Sequence, residues 1–159
     1  MAEKLSGIDR VRLAATELGL AVEIVEMPGS TRTAEDAAAA CGCAVGQIVK
    51  SLVFVGAETR RPLLLLVSGA NRVDETGVRA AIGEALERPD ATYVRTTTGF
   101  AIGGVAPIGH ETPMVTYLDR DLLAFETVWA AAGSPKAVFA VAPAQLAAAT
   151  GATVIAVTG

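Results

Sequence analysis

The stretch Gln47-Ile48-Val49-Lys50-Ser51-Leu52-Val53-Phe54-Val55 reads as a buried β-strand interrupted by one charge. Valine, isoleucine and phenylalanine fit a pleated, packed surface. Leu63 to Ser68 repeats the signal after a polar turn at Glu58 to Arg61, so two long strands stand at the centre of the chain. Outward toward the amino terminus, Ile8, Val11, Ala14, Ala15 and Leu18 recur at helical spacing and predict a helix over Ile8 to Leu18, ended by Gly19. Ala21 to Glu26 reads as a short strand and Met27 to Ser30 as a turn. Thr33 followed by Asp36 predicts the start of a helix over Ala34 to Ala40 that stops at Gly42.

Outward in the other direction, Asp74 to Leu86 reads as a helix or two short helices broken near Gly83. Thr92 to Val94 reads as a short strand, Thr97 to Gly109 as partly irregular, and Met114 to Leu118 as a strand. Val128 to Ala132 and Ala137 to Ala142 form a predicted hairpin around Gly133-Ser134-Pro135. Pro143 opens a helix to Thr150, and Thr153 to Val157 closes the chain as a strand. Uneven alternation with an antiparallel pair predicts one α/β domain over residues 1–159, a mixed sheet flanked by helices and not a doubly wound parallel one.

Composition narrows the function classes. At 159 residues the chain suits a single core. Its mean hydropathy of +0.46 owes much to alanine, and no run reaches the roughly 18 apolar residues of a membrane span. Met1 to Ser6 lacks an export-signal pattern, so a cytoplasmic protein with no membrane attachment is expected. Net charge is -4 and no basic run occurs, which argues against DNA and against broad capture of an RNA backbone, though not against contact with one RNA end. Cys41 and Cys43 flank Gly42 too closely for an ordinary disulfide, and with one histidine they cannot close a structural zinc site, so no metal is expected.

Lys50 is one of three lysines against ten arginines, and alternation places it on the face of Ile48, Leu52 and Phe54. An ammonium there is costly unless an anion or several acceptors meet it, so it is a candidate ligand for phosphate, carboxylate or a developing oxyanion. The plainer reading is a lysine whose stem covers apolar surface while its head reaches water. The second signal is Thr98-Gly99-Phe100-Ala101-Ile102-Gly103-Gly104-Val105-Ala106-Pro107-Ile108-Gly109. Paired glycines let the backbone approach a ligand, and Pro107 stiffens the exit. The segment has neither a dinucleotide fingerprint nor a P-loop, so no cofactor is expected. His110 with Ser68 or Ser134 and Asp119 could be drawn as a triad, but no nucleophile elbow is present, and Asp119 reads more simply as a helix cap and His110 as an exposed loop residue.

Gln47 to Phe54, Ser68-Gly69-Ala70-Asn71-Arg72-Val73-Asp74 and Thr98 to Gly109, in this order and spacing, resemble the YbaK/prolyl-tRNA synthetase-associated editing domain family over about Thr33 to Thr150. The resemblance implies a compact mixed α/β fold with a curved central sheet. It also implies hydrolysis of amino acids wrongly attached to tRNA, most often tRNA for proline, with help from a partner synthetase where one is used. By position it implies that Lys50 holds the aminoacylated terminal adenosine and that Gly103, with Gly104 and Pro107, borders the scissile ester. Ser68, Gly69, Thr98, Gly99 and Phe100 fall at the implied pocket wall, and Met27, Ser30 and Thr31 in an early loop near the substrate. Two departures stand out. Lys136-Ala137-Val138-Phe139-Ala140 lacks the aspartate of cysteine-clearing relatives after the late hairpin turn, and Ser51 replaces the asparagine that follows the lysine in alanine-clearing ones. The resemblance implies a substrate carrying a small residue such as Ala, Ser, Thr or Cys, and the two departures leave open which one. The alternatives are a non-catalytic nucleotide- or aminoacyl-binding module of the same fold, and a serine or thiol esterase built on His110, Ser68 or Cys41.

Overall fold

A computed structural model describes residues 6–158; the reading placed on Met1 to Ser6 lies, apart from Ser6, outside the described residues. Strand β3 (Pro62–Ser68) forms the centre, with Leu63 to Val67 at most 2% exposed. It pairs antiparallel with β2 (Ile48–Gly56), with Lys50 opposite Val67 and Phe54 opposite Leu63. The remaining strands are β1 (Ile24–Glu26), β4 (Leu86–Glu87), β5 (Val115–Asp119), β6 (Val128–Ala131), β7 (Ala137–Val141) and β8 (Thr153–Ile155). They build one mixed sheet in the order β1-β7-β6-β2-β3-β5-β8, with β4 paired to β2 off that path. β2–β6, β3–β5 and β5–β8 run parallel; the other pairs are antiparallel.

Alternation along β3 divides the core. Leu64 and Leu66 join a cluster with Val49, Leu118, Ala130 and Phe139, covered by Val11 of helix α1 (Gly7–Glu17), Val94 of α4 (Ala91–Thr98) and Leu146 of α5 (Pro143–Thr150). Leu63, Leu65 and Val67 face the other way, with Phe54, Val78 and Ile155. On that second side Ala37 and Ala38 of α2 (Ala34–Cys41) cover Ile48. Each such leucine contributes about 1.5–3 kcal/mol by leaving water, which is why the charge at position 50 stands out against its neighbours.

Three readings need correction. Thr92 to Val94 is helical, inside α4: the Asp90 side chain accepts from the Tyr93 amide at 2.8 Å and Gly99 ends the helix in a left-handed conformation, so the caps override the β-branched composition. Asp74 to Leu86 is mostly turns; only α3 (Arg79–Ile82) is helical, and Leu86 pairs with Gly56 in the sheet. His110 is half-buried, its ring edge-on to Phe100 at 5.9 Å.

Candidate active site in the opening of the sheet

Strand β2 is bonded to β3 along one edge, but its other edge is only partly covered. β6 meets Ile48 and Val49, β4 meets Val55 and Gly56, and the stretch from Lys50 to Phe54 has no strand partner on that side among the described residues. A cleft of about 940 Å³ occupies this opening, and both faces of β2 contribute to it. One side carries Lys50, Thr31, Arg32 and Arg72; the other carries Val94 and Val105 beside Val49 and Val53. The Ser51 hydroxyl, on that second face by alternation, is buried without a hydrogen-bond partner among the described residues.

Lys50 is half-buried, and its ammonium donates to the Asn71 carbonyl oxygen. No carboxylate forms an ion pair with it among the described residues. Burial pulls its pKa below the ordinary lysine value; the Glu35 and Asp119 charges oppose that and Arg72 reinforces it. The carbonyl that receives it is itself held. Asn71 Nδ2 donates to Asp119 Oδ2 and Asp121 Oδ2, both at 2.8 Å, and the Ser68 amide donates to Asp119 Oδ2 at 3.0 Å. Asp119 is 1% exposed and also caps the 3₁₀ turn Arg120–Ala124 through the Asp121 amide. One buried carboxylate thus fixes the turn that fixes the ammonium.

Gly103 lines the same cleft at φ +92, a conformation that favours glycine, and its amide makes no hydrogen bond among the described residues. A Cβ there would lie 3.0 Å from Arg32 Cγ, so the arginine stem runs directly over it. Gly104 does not line the cleft. Its amide donates to Ala101 O at 3.0 Å, and a Cβ would come within 3.0 Å of the Ser134 carbonyl carbon, so its absence permits close packing with the late hairpin turn. That turn also holds the early loop: the Met27 amide donates to Lys136 O, and the Thr31 amide and hydroxyl donate to Pro135 O at 2.7 and 2.8 Å. Thr31 lines the cleft; Met27 and Ser30 do not.

None of the other candidate site residues read from sequence lines the cleft. Ser68 is buried, and its hydroxyl donates to Gly46 O at 2.7 Å. The Gly69 amide donates to Ile48 O. Thr98, fully buried, donates to Val94 O, Gly99 ends α4, and Phe100 and Pro107 are buried beneath the loop. His110 Nε2 donates to Ala106 O at 2.6 Å and Arg10 donates to Gly109 O at 3.1 Å, so both secure the loop's exit. Neither the Ser68 hydroxyl nor Asp119 bonds to His110, and no Ser-His-Asp relay exists among these groups. Burial, with Cys43 beside it, pushes the Cys41 thiol up to about 11, the opposite of an activated thiolate. The residues missed in the sequence are Asn71, Arg32 and Arg72. Asn71 and Arg72 stand inside a motif that was noted, and Arg32 follows Thr31 directly.

Burial, reinforced by the Arg10 charge, also holds the His110 imidazole below its ordinary range, against the opposing bond to Ala106. Below about pH 6.5 the unfolded chain then binds a proton that the folded state resists, so stability falls as pH falls, by at most about 1.4 kcal/mol per pH unit. His110→Gln, which can still donate to Ala106, should flatten this part of the slope. Urea unfolding of both proteins at pH 7.5 and 5.5 measures it, and parallel losses in the two would contradict the assignment.

A lysine in a sheet opening and, on the same cleft, a glycine amide without a partner among the described residues form an arrangement that can receive an anionic or oxyanionic group. Residues 29–149 match the aminoacyl-tRNA editing domain model, and the chain belongs to that family. It is 47% identical to a solved "putative trans-editing enzyme for prolyl tRNA synthetase", with a TM-score of 0.91 over 99% of both chains. It is 32% identical over 136 residues to the "uncharacterized protein YwhH" of Bacillus subtilis (strain 168), covering 86% of each. It is also 30% identical over 102 residues to the "putative Cys-tRNA(Pro)/Cys-tRNA(Cys) deacylase EbsC" of Enterococcus faecalis (strain ATCC 700802 / V583), covering 64% of this chain and 62% of that protein.

Proposed function

We propose that this protein is a trans-acting deacylase in the cytoplasm that hydrolyses the ester of misacylated tRNA, with tRNA(Pro) carrying Ala, Ser, Thr or Cys as its substrate. The observation that carries the reading is Lys50, a half-buried ammonium without a carboxylate partner among the described residues, lining the same cleft as Gly103. The names of the relatives support the tRNA class.

The aminoacyl ester needs little help. Water attacks the carbonyl carbon, negative charge gathers on the carbonyl oxygen, and the carbon–oxygen bond to the ribose breaks as the ribose oxygen takes the proton lost by water. Lys50, with two ammonium donors left after Asn71, stabilises the developing charge, and the Gly103 amide is a second donor. Orientation supplies the rest, since the ester is bound beside its own vicinal hydroxyl. A partner synthetase would deliver the mischarged tRNA but contributes no group to this chemistry.

A deacylation assay over a panel of mischarged tRNAs tests the reading. The expected result is clearance of at least one small-residue tRNA(Pro) well above the uncatalysed rate. Binding of a stable aminoacyl-adenosine amide without turnover of any ester would instead make the protein a binding module.

A further inference from the structure

The charged side chains that line the cleft are all cationic: Lys50, Arg32, Arg72 and Arg88. In a chain of net charge -4 this is a local reversal of sign. The four differ in what they have left to offer. Arg88 is paired, Nη2 lying 2.7 Å from Glu75 Oε2. Lys50 spends one donor on Asn71 O. The guanidinium groups of Arg32 and Arg72 neither donate a hydrogen bond nor pair with a carboxylate among the described residues, and both residues are exposed.

Their bases are nonetheless fixed. The Arg32 stem runs over Gly103, and its own amide donates to Ser30 Oγ at 3.2 Å. Arg72 follows Asn71, whose side chain is pinned by two aspartates and whose carbonyl holds Lys50. Arg72 is also close enough to Lys50 for its charge to oppose protonation of the amine. Two exposed, forked cations thus share with the ammonium a cleft that, among the described residues, has no lining carboxylate. Guanidinium forks match the paired oxygens of phosphate.

We propose that Arg32 and Arg72 seat the phosphodiesters of the single-stranded RNA end that delivers the terminal nucleoside to Lys50, an inference that rests on the tRNA reading above. This divides the work of recognition. The deep cleft takes the nucleoside and its ester, and the two arginines read the charge of the strand behind it. A protein of net negative charge can then hold an RNA end without a basic surface.

Titration with the trinucleotide CCA and with adenosine, followed by NMR from 50 to 300 mM salt, tests it independently of turnover. CCA should bind more tightly than adenosine, with an advantage that shrinks as salt rises. Arg32→Ala and Arg72→Ala should each cost about five- to tenfold in CCA affinity and lower the log–log salt slope by about 0.7, while leaving adenosine binding unchanged. Arg12→Ala, on α1 and outside the cleft lining, should behave as wild type. The proposal fails if the double arginine variant binds CCA as wild type does, if it loses adenosine to the same degree, or if CCA produces no shifts at millimolar concentration. A wild-type protein that binds CCA in this manner but clears no mischarged tRNA would overturn the deacylase reading and leave the phosphate seat standing.

Discussion

Lys50→Ala is expected to lower kcat/KM for deacylation by about 10²- to 10³-fold, the usual consequence of removing one preorganised donor from an oxyanion site. The variant should fold. Lys50 is only half-buried, it pairs with no carboxylate among the described residues, and alanine would remove a desolvated charge from an apolar strand. A stability unchanged or raised, beside an activity nearly lost, is therefore the expected pair of results from urea unfolding and single-turnover hydrolysis. Lys50→Arg should recover little, because the longer planar head cannot occupy the same point beside Asn71. His110→Gln should retain most activity, since that ring serves the loop exit and not the cleft. Equal rates for Lys50→Ala and wild type would sink the mechanism. The pH profile adds a sign: the lowered lysine pKa means that the working, protonated form is lost as pH rises, beginning below the value of a free lysine.

The sequence disclosed the strands and the odd charge but not the reason the charge is usable. Ile48 to Val55 and Leu63 to Ser68 are legible because their apolar runs are long and bounded by turns, and the pairing of Val128–Ala131 with Ala137–Val141 because a glycine-proline turn lies between them. The opening in the sheet is a tertiary fact. It exists because β6 leaves β2 after two residues and β4 arrives only at Val55, and no local pattern encodes that gap. Helix α4 was hidden for the opposite reason: Thr92, Tyr93 and Val94 have strand composition, and the decisive groups are the Asp90 cap and Gly99 stop at either end. The glycine loop was legible as a place of close approach, but only packing separates Gly103, which faces the cleft, from Gly104, which faces Ser134. Glycine's permissiveness looks the same in both letters. Asp119 reads as a cap, and it is one, but its two further bonds cross to β3 and the turn beyond, from residues some fifty positions away.

Those bonds make Asp119 a positioning residue, and Asp119→Asn is expected to lower kcat by about 10- to 100-fold with a much smaller change in KM. Oδ2 accepts from the Ser68 amide and from Asn71 Nδ2, and Oδ1 accepts from the Asp121 amide. An asparagine keeps the shape but turns an amide group toward at least one of these donors, which must then move or stay unsatisfied at about 1–3 kcal/mol. The first thing to move is the Ser68 to Asn71 turn, and with it the carbonyl that holds the Lys50 ammonium. A displacement of the order of 1 Å at that carbonyl is enough to misplace the charge on the oxyanion while leaving the nucleoside bound. Loss of the Asp119 charge also removes one of the groups that favours protonated Lys50, so the alkaline fall in kcat should shift to lower pH. A purely structural role for Asp119 would lower the melting temperature without moving that limb. Asp119→Ala leaves three donors unanswered and should destabilise the fold by about 3–5 kcal/mol, a large share of a typical domain's stability, so the asparagine variant is the one to assay. A folded Asp119→Asn protein with wild-type kcat and an unmoved pH profile would show that Lys50 holds its place without the aspartate.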